Sequence, residues 1–150
     1  MSHNYAETAL LAGFLCLAVA AAGDGSSARA SARVSEQSPP AGLIERGRYL
    51  VHNVAMCVQC HSPRDENGEL IETALLTGAP MPVKSPFPNR IWATRTPSLR
   101  GLSFLSEANA MRLLREGIAH TGKPPDPPMP PFRMTPEDAS AVIAYLKSLK

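Results

Sequence analysis

The feature that most constrains this chain is five residues long: Cys57-Val58-Gln59-Cys60-His61. With 3 Cys and 4 His in 150 residues, chance places about 0.002 copies of Cys-x-x-Cys-His in the whole sequence. Four chemistries compete for such a pair of thiols. A disulfide across two intervening residues closes a trivial loop and restrains the unfolded chain very little. A thioredoxin-like redox pair belongs in a βαβ setting, and no alternating strand pattern precedes Cys57. Zinc needs two further Cys or His ligands at suitable spacing, yet His52 and His120 stand alone and there is no second Cys pair.

The fourth chemistry uses every residue of the motif. Positions i and i+3 of a helical turn share a face, so Cys57 and Cys60 can each form a thioether to a haem vinyl group. His61, at i+4 from Cys57, stays on that face and can offer its imidazole to the iron. The sequence therefore predicts one covalent haem c.

Chain length makes the same demand from another direction. Glu7 is the only charged residue before Asp24, and Ala9 to Ala22 is an unbroken apolar run of 14. That run suits the core of an export signal and is short for a membrane span of about 20 residues. Ala20-Ala21-Ala22 supplies the small residues a signal peptidase needs. Residues 1–22 are thus read as a signal peptide, with an uncleaved membrane anchor as the alternative, since residues 1–7 carry no Lys or Arg. Cys16 follows Leu15 rather than a small residue, and reads as one more apolar member of the run. Residues 23–41, rich in Ser, Ala and Arg, form a flexible leader or, if nothing is cut, a tether. The expected location is exported, in the periplasm, where unpaired thiols outside a cofactor would oxidise.

All 15 Lys and Arg, but 12 of the 13 acids, lie beyond Ala22, so the exported part carries 15 − 12 = +3. Roughly 110 residues remain for one small domain, 42–150. Multi-domain, solenoid and multi-span architectures are excluded. Aromatics make up only 5% of the chain, so the core needs outside material, and a haem is a large apolar object around which a short chain can fold. No nucleophile–base pair, phosphate-cradling loop or basic–aromatic patch points to catalysis or to nucleic acid.

A haem iron held by His61 has a sixth position, and its occupant separates electron transfer from ligand chemistry. Met56 adjoins the attachment turn and cannot reach the opposite face. Met111 lies among Leu113 and Leu114 in an amphipathic stretch and reads as core. Met129 stands apart. Six of the eight residues from Pro124 to Pro131 are proline, which stiffens the backbone and can hold one side chain in place. Met129 is the preferred ligand; Met134, Met81, His120 and an open site remain alternatives.

Helix signals surround these residues. Leu43, Ile44, Gly47, Leu50, Val51 and Val54 recur at three- and four-residue steps and predict a first helix running into the haem motif. Ser106 and Gly117 bracket another helix as N-cap and stop. Thr135, Pro136 and Asp138 open a last helix whose stripe is Val142, Tyr145, Leu146 and Leu149. Between His61 and Ser106 the chain reads as a long irregular loop.

Taken together, Cys57–His61, the distant Met129-Pro130 and the terminal helix resemble the class I monohaem cytochrome c family over about 43–150. Gly47-Arg48-Tyr49-Leu50-Val51 and Pro63-Arg64-Asp65 are similar to segments of cytochrome c subunits and partners of periplasmic dehydrogenases. The resemblance implies an all-α fold of three to four short helices with long loops around the haem. It implies a one-electron carrier, not an enzyme in its own right, docking transiently with a dehydrogenase donor and an oxidase or cytochrome acceptor. A membrane is a partner only if the N-terminal segment stays uncleaved. The alternatives are a haem enzyme or sensor with an open sixth site, and a haem subunit of a larger dehydrogenase. By the same resemblance Gly47 and Tyr145 face each other where the first and last helices cross. Thr96-Pro97-Ser98-Leu99 resembles the family's Gly-Pro-x-Leu segment, so the Pro97 carbonyl is expected to accept the His61 N–H, although Thr96 stands where glycine is usual. Trp92, Arg90, Arg95 and Arg100 are candidates to hold the haem propionates, with an ordinary solvated loop as the plain alternative.

Overall fold

The structure is a computed structural model that describes residues 39–150. The expected signal segment, and the expected leader up to residue 38, lie outside the described residues. Four helices carry the fold: α1 (Ala41–Tyr49), α2 (Cys57–His61), α3 (Glu107–Glu116) and α4 (Pro136–Ser148). Two single turns of 3-10 helix, Glu72–Ala74 and Arg100–Leu102, punctuate the long loop. Two-residue strands β1 (Ala79–Pro80) and β2 (Arg95–Thr96) pair antiparallel within it, Ala79 opposite Thr96 and Pro80 opposite Arg95. Among the described residues no helix is long and apolar enough to cross a membrane.

Helix α4 is the spine. Thr135 caps it, its hydroxyl accepting the Asp138 N–H at 3.2 Å, with Pro136 in the first turn. Glu137 and Asp138 meet the positive end of the helix dipole, and Lys147 the negative end. The expected stripe of this helix understates its burial, because Ala139 and the whole run Ala141–Leu146 are buried. Partners on several sides explain this: α1, α3 and the 100–102 turn all pack on it. The Arg46 guanidinium grips Asp138 in a two-pronged ion pair at 3.0 and 3.3 Å, and Lys147 reaches Glu107 at 2.8 Å. Both pairs are open to solvent and orient the helices more than they stabilise them.

Gly47 sets the α1–α4 crossing. A Cβ there would run into Ala141 O and lie 2.7 Å from Tyr145 Cβ, so only glycine permits the approach. The role that resemblance assigned to Gly47 and Tyr145 is the one they fill.

The first helix departs from expectation. Instead of running unbroken into the haem motif, α1 widens into a π turn over Leu50–Val54, closed by the Ala55 N–H on Leu50 O at 2.8 Å. Met56 then takes a left-handed conformation (φ 52°) and α2 starts afresh at Cys57. The wide turn keeps Leu50 and Val51 in the core, while the left-handed residue redirects the chain so that Cys57–His61 forms a separate short helix.

Helix α3 follows its sequence signals closely. The Ser106 hydroxyl accepts the Asn109 N–H, and Gly117 ends the helix at φ 65°.

Candidate functional site

Helix α2 forms one wall of an open apolar cleft of about 790 Å³. Cys57, Cys60 and His61 line it, with Leu99, Leu102, Leu113, Leu114, Ile143 and Leu146 as further walls. The two thiols are not bonded to each other. Burial pushes the Cys57 thiol up to about 11, which keeps it neutral; a thioether, also neutral, loses nothing in such a setting.

His61 is buried at 8% exposure. Its Nδ1 lies 2.9 Å from Pro97 O. A carbonyl only accepts, so Nδ1 carries the proton and Nε2 keeps the lone pair. Burial lowers the pKa of the ring and outweighs the smaller raising effect of the Pro97 bond, which favours a neutral imidazole with one free donor nitrogen. Pro97 thus occupies the position relative to His61 that the sequence led us to expect.

What holds Pro97 there was not legible beforehand. The Thr96 hydroxyl donates to Cys60 O at 2.9 Å and accepts the buried Ala79 N–H at 3.0 Å. Gly78 donates to His61 O at 2.8 Å, in a left-handed conformation (φ 84°) where a Cβ would meet Thr96 O at 2.7 Å. Ser62, 2% exposed, accepts the Leu76 N–H at 2.9 Å. Hydroxyls of Ser62 and Thr96 therefore staple the loop behind the imidazole. Only the departure from glycine at 96 marked either of them.

The same cleft is lined by Pro128, Met129, Pro130 and Phe132. The proline-rich segment is tied down at several points. Met129 N–H reaches Asp126 O at 3.3 Å, Ala93 N–H reaches Pro127 O at 2.8 Å, and Met134 N–H reaches Leu114 O at 3.0 Å. Met81 lines the cleft as well. Met111 and Met134 pack against the hydrophobic core instead. His52 is engaged elsewhere, its Nε2 2.7 Å from the Tyr145 hydroxyl. The rim carries Met56, and His120 lines a recess continuous with the cleft, together with Arg95, Thr121 and Asp126.

The four propionate candidates separate. Arg95 lines the recess. Arg100 turns inward and donates to Leu75 O, with Thr73 O and Lys150 O nearby. Arg90 lies over the Phe87 ring. Trp92 donates its indole N–H to Val83 O at 3.0 Å and lines neither the cleft nor the recess.

A large apolar space, two unpaired thiols, an imidazole with a fixed tautomer and the methionine side chains that share the cleft together suit a covalently attached haem. No group of three or more Cys, His, Asp and Glu among the described residues is placed to hold a simple metal ion. Residues 44–150 match the cytochrome c family. The chain belongs to that family. No curated protein sequence matches it.

As a cytochrome c, the protein carries haem c and has a haem-based role in electron transfer. Its fold is the mostly helical class I arrangement, with the β1–β2 pair as a small addition within the loop. Cys57 and Cys60 have the spacing for covalent attachment.

Proposed function

We propose that this cytochrome c is an exported one-electron carrier, attached to haem through Cys57 and Cys60 and ligating the iron with His61 and Met129. The observation that carries the reading is the shared cleft: His61, its tautomer fixed by Pro97 O, and Met129, on a braced proline-rich loop, line the same apolar space. The bound haem would supply a one-electron couple, and a soft methionine donor favours its reduced state. The chain's own contribution is rigidity and dryness. Pro97 orients the imidazole, the bonds from Met129, Ala93 and Met134 limit movement of the ligand loop, and the leucine-rich walls exclude water. The Ala9–Ala22 run with its small-residue end, and two thiols reserved for attachment, support export to the periplasm. Arg95, beside the recess, is the best-placed of the candidate propionate partners.

Met81 gives a second reading of the sixth ligand, because it too lines the cleft. Absorption spectra of the haem-loaded protein and of Met129→Ala and Met81→Ala decide between them. The expected result is a low-spin protein with the weak far-red charge-transfer band of methionine-bound ferric haem. Met129→Ala should lose the band and let the ferrous protein bind CO, while Met81→Ala keeps the band and excludes CO. The opposite pattern moves the ligand to Met81; a high-spin wild type that binds CO points to ligand chemistry in place of electron carriage.

A further inference from the structure

Among the described residues, three of the large exposed apolar side chains fall within nine residues of one loop: Val83 at 50%, Phe87 at 57% and Ile91 at 75% exposure. None of them lines the cleft or its recess. Their exposure is built into the loop. The Trp92 indole closes it on Val83 O, Ser85 Oγ accepts the Phe87 N–H at 3.1 Å and donates to Phe87 O at 2.8 Å, and the Arg90 guanidinium covers one face of the Phe87 ring at 5.5 Å. Charge is sorted onto the same stretch. Residues 73–106 hold Lys84, Arg90, Arg95 and Arg100 and no Asp or Glu. Residues 39–150 as a whole carry 13 − 10 = +3, so this stretch, at +4, accounts for all of that excess. With Arg100 turned inward onto carbonyls, the exposed cations are Lys84, Arg90 and Arg95. Asp126, in the recess beside Arg95, is the nearby carboxylate.

Position completes the argument. Ala93 donates to Pro127 O at 2.8 Å, two residues before Met129, so whatever sits on this loop sits beside the cleft. We propose that loop 82–95 is the docking surface for a redox partner protein whose cofactor mouth is apolar and rimmed by carboxylates. Three apolar side chains suit a small, transient interface, and the flanking cations steer an acidic partner onto it. A lipid surface would also accept a basic apolar loop. It offers no electron donor or acceptor, whereas this loop adjoins the ligand segment. The proposal rests on the electron-carrier reading above.

The test is stopped-flow reduction of the haem-loaded ferric protein by reduced plastocyanin, an acidic blue-copper protein. Phe87→Ser/Ile91→Ser and Lys84→Glu/Arg90→Glu are compared with wild type as salt is raised. The expected second-order rate falls about tenfold in either double variant at low salt, and the charge-reversed one loses the salt dependence. Reduction by ascorbate and the midpoint potential stay as in wild type, which shows that the site itself is intact. Rates within twofold of wild type in both variants overturn the proposal. So does a loss of binding to phosphatidylserine vesicles with unchanged protein–protein rates, which assigns the loop to a membrane. A wild-type protein that ascorbate does not reversibly reduce sinks the carrier reading itself, and that is seen before any variant is compared.

Discussion

His61 Nδ1 sits 2.9 Å from Pro97 O, and the residue before that proline holds the arrangement in place. Thr96 bridges Cys60 O and the Ala79 N–H with one hydroxyl, so a single side chain joins the attachment helix to the strand pair that carries Pro97. Thr96→Val keeps the shape and removes both bonds. Losing a hydroxyl that bonds backbone groups of two elements at this part-buried place costs about 1 kcal/mol. Denaturant unfolding of the haem-loaded protein should show that loss, and Thr96→Ser should recover most of it. A looser Pro97 carbonyl also makes the imidazole less basic, so the midpoint potential of Thr96→Val should rise. Equal stability for the Val and Ser variants would mean the hydroxyl is idle.

Gly47→Ala probes the helix crossing. Its Cβ has no room against Ala141 O and lies 2.7 Å from Tyr145 Cβ. Backbone, not a flexible side-chain tip, is the obstacle, so α1 must move away from α4. The expected cost is about 3 kcal/mol, at the upper end of overpacking effects. Thermal unfolding should register it clearly. Gly42→Ala makes the control: nothing lies within 4 Å of a Cβ there, and the better helix propensity of alanine should leave stability equal or higher.

These contacts also show where sequence reasoning reaches and where it stops. Capping is local, so Ser106 and Gly117 marked both ends of α3, and Thr135 and Pro136 the start of α4; its end was read too far, since Leu149 leaves the helix after Ser148. The Cys57–His61 motif is likewise local and named the cofactor. Met56 was opaque, because methionine carries no preference for positive φ and the apolar periodicity of Leu50, Val51 and Val54 runs straight through the π turn. Ser62 and Thr96 act through bonds that span 14 and 36 residues, which leave no periodic trace. Trp92 and Arg100 illustrate a further gap: composition shows that a loop has aromatic and cationic side chains, but not that backbone carbonyls will claim them. Met129 and Met81 line one cleft for the same reason, since a proline-rich segment announces its stiffness and not its neighbours.

Removing the cofactor should unfold more than the site. Val58, Leu99, Leu102, Leu114, Val142, Ile143 and Leu146 belong to the core, and most of them also line the cleft. A Cys57→Ala/Cys60→Ala chain retains no covalent haem, and its cleft walls face water. Near-ultraviolet circular dichroism should collapse, with part of the helical signal retained and a hydrophobic dye bound, the signature of a loosely packed state. A cooperative transition like that of the haem-loaded protein would show that the core stands without the haem.

The last prediction concerns pH and the α1–α4 contact. His52, on the π turn, has Nε2 2.7 Å from the Tyr145 hydroxyl, and the rings meet edge-on with centroids 5.7 Å apart. Burial lowers the His52 pKa below its ordinary 6.5, and the nearby charge of Arg48 adds to that, against a smaller opposing pull from Glu72. Burial likewise raises the pKa of Tyr145, which keeps the phenol protonated. With a folded pKa below the unfolded one, the unfolded chain binds the proton more readily. The stabilising effect is therefore complete above 6.5 and is lost as pH falls through the folded value. Stability of the haem-loaded protein should decline as pH falls below 6.5. In His52→Gln, an uncharged amide can still bond the Tyr145 hydroxyl, so part of that slope should vanish while stability near pH 7 changes little. Tyr145→Phe should instead lower stability at every pH, because it removes the partner and leaves the titration of His52 in place. An unchanged slope in His52→Gln would move the acid sensitivity to other groups and leave the His52–Tyr145 pair a purely structural contact.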